Sequence, residues 1–321
     1  MASASACGKT ILLGEHAVVY GRPAIAVPIS GVRASAEVQP LAPGSGVLLE
    51  APDLNATWRL DNVSDDAQDV RALRQTVYNT LARLGVPAAE ACLRITVSSQ
   101  LPIARGLGSG TALTTALVRA LVAHYGGYVS ADELSDIVYQ TEILYHGTPS
   151  GVDNTVVAHE RPVYFVRGAA PVLLGVGRPF GLVIADTGVP SPTRDAVQDV
   201  RRQWQADPAR YEQLYDAIGA LTERGRDALA HGDAPLLGEL MDANHAVLRE
   251  LGVSSPLLDR LVRVARTAGA LGAKLTGGGR GGCLVALVPA GACSTGDAAS
   301  NAVGAALLAE GAASVYPTVV S

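Results

Sequence analysis

The chain has 321 residues, 48% of them hydrophobic and 17% charged, with a formal net charge of −5 at pH 7. This length favours two domains over a single core, and the hydrophobic content excludes disorder of the low-hydrophobicity, high-charge kind. The negative balance gives no electrostatic footprint for nucleic acid, so a small anionic substrate would have to be met by local positive charge.

Residues 1–5 carry no basic segment followed by an apolar stretch, so no signal peptide is expected, and no apolar run is of bilayer-spanning length. Cys7, Cys92, Cys283 and Cys293 are scattered without a C-x-x-C pair. Reduced thiols in a cytoplasmic protein are the default for such a pattern, and a zinc site is not expected. Only two of the 25 basic residues are lysine, Lys9 and Lys274, and the others are arginine. A lysine kept in so arginine-rich a chain points to a place where a compact ammonium is needed in preference to a planar fork, although chance explains Lys274 equally well.

In chain order, short apolar runs at 10–13, 24–29, 32–38, 47–49 and 93–97 read as strands bounded by turn residues. Between the last two, residues 69–84 carry apolar side chains at helical spacing and stop at Gly85 and Pro87. Helices are expected at 109–125, entered from a glycine-rich turn, and at 130–145, where Ser130 and Glu133 form a capping box. A strand at 181–185 is followed by amphipathic segments at 194–205, 209–230, 235–251 and 256–268. Strands return at 283–288 and 313–320. The order predicts an α+β protein with a strand-rich first half, and a boundary near residue 180 divides it into domains 1–180 and 181–321.

Three segments are rich in glycine. Gly8-Lys9-Thr10 lacks the first glycine and the preceding strand of a Walker A loop. Gly277, Gly279 and Gly282 match G-x-G-x-x-G but lead into an apolar strand, where a dinucleotide site needs a helix. The segment Leu101-Pro-Ile-Ala-Arg-Gly-Leu-Gly-Ser-Gly-Thr-Ala112 lies between a strand and a helix, the arrangement that brings helix N–H groups and the positive end of the dipole to an anion. Its glycines allow close backbone approach, and Ser109 and Thr111 add hydroxyls within reach of phosphate or magnesium. Lys274-Leu-Thr-Gly-Gly-Gly-Arg-Gly-Gly-Cys283 holds five glycines in six positions, a density that weakens a fold unless the backbone must approach a ligand.

Together these segments resemble the three motifs of the GHMP small-molecule kinases, in order and at suitable separations. Gly8-Lys-Thr-Ile-Leu-Leu-Gly-Glu-His-Ala-Val-Val-Tyr-Gly21 has the form found in the branch that phosphorylates mevalonate. His146-Gly-Thr-Pro-Ser-Gly-Val-Asp-Asn154 resembles that branch's substrate segment, and Ala185-Asp-Thr-Gly188 with Thr193 resembles the start of its C-terminal domain. The resemblance implies a two-domain GHMP kinase fold, an N-terminal α/β domain with the phosphate loop and a C-terminal ferredoxin-like α+β domain. It implies ATP-dependent phosphorylation of the mevalonate 5-hydroxyl, with ATP and Mg²⁺ as cofactors, no nucleic-acid or membrane partner, and a homodimer left open.

Residue by residue, it implies Asp153, in a Gly/Pro-rich turn, as the base that accepts the hydroxyl proton, and Lys9 as the cation beside it. Pro102, Arg105, Gly106, Leu107, Gly108, Ser109, Gly110, Thr111 and Ala112 would bind ATP. Glu142, eleven residues before Asp153, and Ser109 would hold magnesium, a hard cation that takes oxygen ligands. Glu15, His16, Asp153 and Thr193 would contact the substrate.

Three positions depart from the family pattern. Gly110 replaces a second serine that commonly binds magnesium, Arg280 stands where glycine is usual, and Cys7 replaces a proline. Beside phosphates, Arg280 would either strengthen ATP binding or block the loop, and Ser109 or Thr111 would supply the missing hydroxyl, or water would complete the magnesium shell. A phosphomevalonate kinase of this fold should carry more basic groups for the extra phosphate, and a non-catalytic sensor would have no need of Asp153.

Overall fold

The computed structural model describes residues 1–61, 68–102, 105–146, 149–190, 193–289 and 298–321, with backbone alone at 68–69, 145–146 and 193–195. In chain order the elements are β1 (Ala2–Leu13), β2 (Ala24–Pro40), β3 (Val47–Ala51), β4 (Ala56–Arg59), α1 (Gln68–Arg83), β5 (Leu93–Ser99), α2 (Ser109–His124), α3 (Ala131–His146), α4 (Val152–His159), β6 (Val163–Phe165), β7 (Val172–Leu173), β8 (Phe180–Asp186), α5 (Thr193–Ala206), α6 (Pro208–His231), α7 (Ala234–Glu250), α8 (Pro256–Thr267), β9 (Gly272–Thr276), β10 (Cys283–Val288), α9 (Ala298–Ala309) and β11 (Ser314–Val320). The α+β class expected from the pattern of apolar runs is the class observed.

The chain divides into two compact units. The first comprises Met1–Gly8, Arg33–Pro102 and Gly108–Glu160, and the second Lys9–Val32, Ile103–Leu107 and Arg161–Ser321. In the first unit, the later part of β2 pairs antiparallel with β5, β5 runs parallel to β3, and β3 pairs antiparallel with β4. Burial along this part of β2 alternates, with Ala34, Ala36 and Val38 inside, as a sheet with one covered face requires. Helix α2 packs on β5, and α1, α3 and α4 pack around α2. The capping box is present: Ser130 N–H donates to Glu133 Oε2 at 3.0 Å, and Glu133 N–H donates to Ser130 Oγ at 3.2 Å.

The second unit holds an antiparallel sheet in the order β11-β8-β10-β9, with helices following its first and third strands in sequence. This is the ferredoxin-like arrangement. Strands β8, β9 and β10 are buried along their whole length, which explains their near-continuous apolar sequence. Helices α6, α7 and α8 begin at Asp207, Asp233 and Ser255, whose side chains accept the N–H of Arg210, Leu236 and Leu258, with proline in each first turn. No described helix is long and apolar enough to cross a membrane.

The apolar runs at 24–29 and 32–38 form one strand, although Ser30-Gly31 between them reads as a break. A Cβ on Gly31 would lie 1.9 Å from the Pro317 carbonyl oxygen, so this glycine lets β11 pass against the backbone. The Gly/Pro-rich turn expected at Pro149–Asp153 leads directly into the helix α4, whose first turn holds Asp153.

Candidate active site

In the first unit, α2 is entered through Gly108, whose φ of 70° places it in the left-handed region that favours glycine. The first N–H groups of a helix have no intrahelical acceptor, so Ser109, Gly110 and Thr111 open the anion-binding end of α2. Ser109 is half-buried, Gly110 is exposed, and Thr111 and Ala112 are buried. The Thr111 hydroxyl donates to Glu142 Oε1 at 2.7 Å. Glu142 lies near the end of α3 and is 5% exposed.

Asp153 lies in the first turn of α4, where a carboxylate meets the positive end of the helix dipole. The chain reverses into this helix at Gly151, and Asn154 Nδ2 ties α4 to α3 by donating to Ser135 Oγ at 2.8 Å. The result is one cavity of about 150 Å³ lined by Glu142, Pro149, Ser150, Gly151, Asp153 and Asn154. Two carboxylates on different helices therefore open on the same space. No described group of three or more His, Cys, Asp or Glu side chains would hold a metal by itself. The oxygen donors here are the carboxylates of Glu142 and Asp153, with the Thr111 hydroxyl bonded to Glu142, a set that suits magnesium completed by phosphate oxygens.

In the second unit, Lys9 is 7% exposed and its backbone N–H donates to the Leu107 carbonyl at 2.9 Å, which joins β1 to the start of the glycine loop. Gly106 and Gly277 meet backbone to backbone: a Cβ on Gly106 would lie 3.7 Å from the Gly277 Cα. Arg105 Nε lies 3.3 Å from Asp186 Oδ2, and its Nη2 donates to the Gly188 carbonyl at 3.1 Å, so the loop is also tied to the Ala185–Gly188 turn. That turn is itself held to the third glycine-rich segment, since the Thr187 N–H and hydroxyl both donate to the Gly282 carbonyl. Pro102 is half-buried before the loop and belongs to the first unit.

Glu15 and His16 are both buried. Glu15 pairs with Lys274 and accepts from Asn244 Nδ2 at 3.2 Å. His16 Nε2 lies 3.1 Å from the Gly278 carbonyl. A carbonyl only accepts, so Nε2 carries the proton and Nδ1 is the acceptor nitrogen. Burial lowers the His16 pKa to about 4, against the smaller opposing effect of the Gly278 bond, and the ring is neutral at pH 7. His16 has a φ of 61°, a left-handed conformation that costs a non-glycine residue on the order of 1–3 kcal/mol. Gly14 before it has φ 104°, and a Cβ there would fall 2.4 Å from the Ala24 Cα.

The Arg280 guanidinium turns to Asp199 of α5, and its Nε donates to the Gly252 carbonyl at 3.3 Å. Thr193 begins α5, and its side chain lies outside the described residues. Asn244 gives no signal in the sequence. Lys274 is marked there by the scarcity of lysine but not by its partner, because Glu15 lies 259 residues away.

A glycine loop opening a helix, paired with a carboxylate cavity, defines a small-molecule kinase. The chain belongs to the GHMP kinase family: residues 71–160 match the GHMP kinases N terminal domain and residues 226–312 match the GHMP kinases C terminal model. Its similar relatives include mevalonate kinases. That of Aeropyrum pernix is 35% identical over 320 residues, covering 97% of each chain, and that of Pyrococcus horikoshii is 34% identical over 300 residues, covering 89% of this chain and 88% of its own. A crystal structure of L. major mevalonate kinase in complex with R-mevalonate superposes with a TM-score of 0.81 at 30% identity, over 100% of this chain and 96% of that one.

Proposed function

We propose that this protein transfers the γ-phosphoryl group of ATP to the 5-hydroxyl of mevalonate, giving 5-phosphomevalonate, as a cytoplasmic enzyme of isoprenoid synthesis. The observation that carries this reading is the shared cavity of Glu142 and Asp153, in a chain similar to mevalonate kinases along nearly its whole length. Phosphoryl transfer to an alcohol needs a positioned hydroxyl, an acceptor for its proton and neutralisation of the moving charge.

Asp153 is the base that takes the hydroxyl proton. Lys9 supplies a compact positive charge for the attacking oxygen and the transferred phosphoryl group. The loop 105–112 binds the triphosphate through backbone N–H groups and the N-terminus of α2. Glu142, with the hydroxyls of Thr111 and Ser109, holds magnesium, which neutralises phosphate charge when bound. Glu15, His16 and Thr193 belong to the substrate side, where the neutral His16 accepts a hydrogen bond through Nδ1. Residues 1–180 carry the catalytic groups in this reading.

A coupled ADP-release assay with mevalonate, phosphomevalonate and galactose tests it. Turnover is expected with mevalonate, with Asp153→Asn lowering kcat by about 10²–10⁴-fold while the protein stays folded. Turnover confined to phosphomevalonate, or none with any of the three, overturns the reading.

A further inference from the structure

The fold buries one of the two lysines completely: the Lys274 side chain is 0% exposed, in a strand whose five residues are all buried. Its Nζ donates to Glu15 Oε1 and, at 2.8 Å, to the Leu275 carbonyl. Glu15 is also fully buried, and Oε2 takes the bond from Asn244. Burial lowers the pKa of the ammonium, and the Glu15 carboxylate opposes that shift. A compact ammonium needs fewer acceptors than arginine's five-donor fork, in keeping with the lysine kept here. An apolar pair of the same volume often stabilises a core as well as a buried ion pair does, so stability alone does not account for the two charges.

The location of the pair supplies the reason. Glu15 directly precedes His16, which is held in the left-handed region. Such a conformation persists only where the surroundings impose it. Backbone bonds of its own turn contribute, with the Val18 N–H donating to the Gly14 carbonyl at 3.1 Å, and two side-chain contacts add to them, both from the same glycine-rich segment. Lys274 at the segment's start grips Glu15, and the Gly278 carbonyl inside it accepts from His16. A second pair of contacts runs alongside, with Thr276 Oγ1 donating to the Ile11 carbonyl at 3.0 Å and the Thr10 hydroxyl 2.9 Å away.

We propose that Lys274 is a positioning residue for the phosphoryl-transfer site: through Glu15 it holds His16 against Gly278 and so fixes the tautomer and place of the imidazole that receives the substrate. The step from imidazole to substrate rests on the function proposed above. The clamp itself rests only on the contacts.

Two measurements test it. In the ADP-release assay, K274M raises KM for mevalonate about tenfold or more and leaves KM for ATP within about twofold. K274M strands a buried carboxylate and is expected to melt early, so the double variant K274M/E15Q is measured beside it. With both charges removed, the double variant regains the wild-type melting temperature but keeps the raised KM for mevalonate. Wild-type KM in the double variant, or an equal rise for mevalonate and ATP, overturns the proposal.

The second measurement needs no substrate. Ring ¹⁵N spectra of the folded protein, with His16 assigned through H16Q, show the Nε2-protonated tautomer in the wild type and a mixture in K274M/E15Q. An unchanged His16 signal in the double variant overturns the clamp. A wild type that does not turn over mevalonate overturns the functional reading instead, and the ring spectra then decide the clamp alone.

Discussion

Thr111 donates its hydroxyl to the Glu142 carboxylate at 2.7 Å, and both side chains are more than nine-tenths buried. The bond joins the first turn of α2 to the end of α3, and it brings a hydroxyl to the carboxylate proposed to hold magnesium. Removing the donor at nearly constant volume leaves part of a buried carboxylate unsatisfied. Thr111→Val is expected to lose about 1–3 kcal/mol of stability in urea unfolding and to need roughly tenfold more magnesium for half-maximal activity. Thr111→Ser should restore both. An unaltered magnesium requirement in Thr111→Val would remove Thr111 from the metal's surroundings.

Gly110 lies in the first turn of the same helix, and a Cβ there would meet nothing within 4 Å. Neither space nor backbone conformation excludes the serine usual at this point of the loop. Gly110→Ser should raise stability by about 0.5 kcal/mol, the gain of replacing glycine in a helix, and lower the magnesium concentration for half-maximal activity. Thermal melts and a magnesium titration of the purified variant check both.

Arg280 has a φ of 62° and its guanidinium engages Asp199 and the Gly252 carbonyl. The side chain is therefore committed to α5 and the turn at Gly252. Arg280→Gly relieves left-handed strain of on the order of 1 kcal/mol and gives up a part-exposed ion pair worth about 0–1 kcal/mol. Stability should shift by less than about 1 kcal/mol and KM for ATP by less than about threefold. A larger rise in KM for ATP would show that the guanidinium serves the nucleotide.

Stability should fall on mild acidification. Burial lowers the pKa values of His16 and His245 to about 4, against an ordinary value of 6.5. The Gly278 carbonyl and Asp259 oppose these shifts but do not cancel them. Between about pH 6.5 and pH 4 the unfolded chain binds protons that the folded chain does not, so stability drops as pH falls through that window. Each buried imidazole accounts for about 3 kcal/mol by pH 4. Urea unfolding at pH 7 and pH 5 should show the loss, and His245→Gln should flatten it. An equally steep profile in that variant would remove His245 from the effect.

Local chemistry was legible in the sequence where a short stretch of chain decides the outcome. Ser130 and Glu133 cap α3 as their spacing implies. The loop at 106–112 opens a helix because glycine alone relieves the backbone at Gly108. Ser30-Gly31 was misleading because its glycine answers to a distant strand. The eight-residue helix α4 has no clear signal of its own, because so short a segment carries too little periodicity.

The sequence by itself determined the α+β class, the glycine loop with its helix, and the short list of residues able to move a proton or meet a phosphate, since these follow from residue type and local spacing. Only the tertiary structure decided which of them meet. Glu142 and Asp153 share a cavity because α4 folds back on α3, and Thr111 reaches Glu142 because α2 and α3 belong to one unit. Lys274 finds Glu15 across 259 residues because β9 is wholly buried. A charge on such a strand must be paired, and the chain's path through space selects its partner.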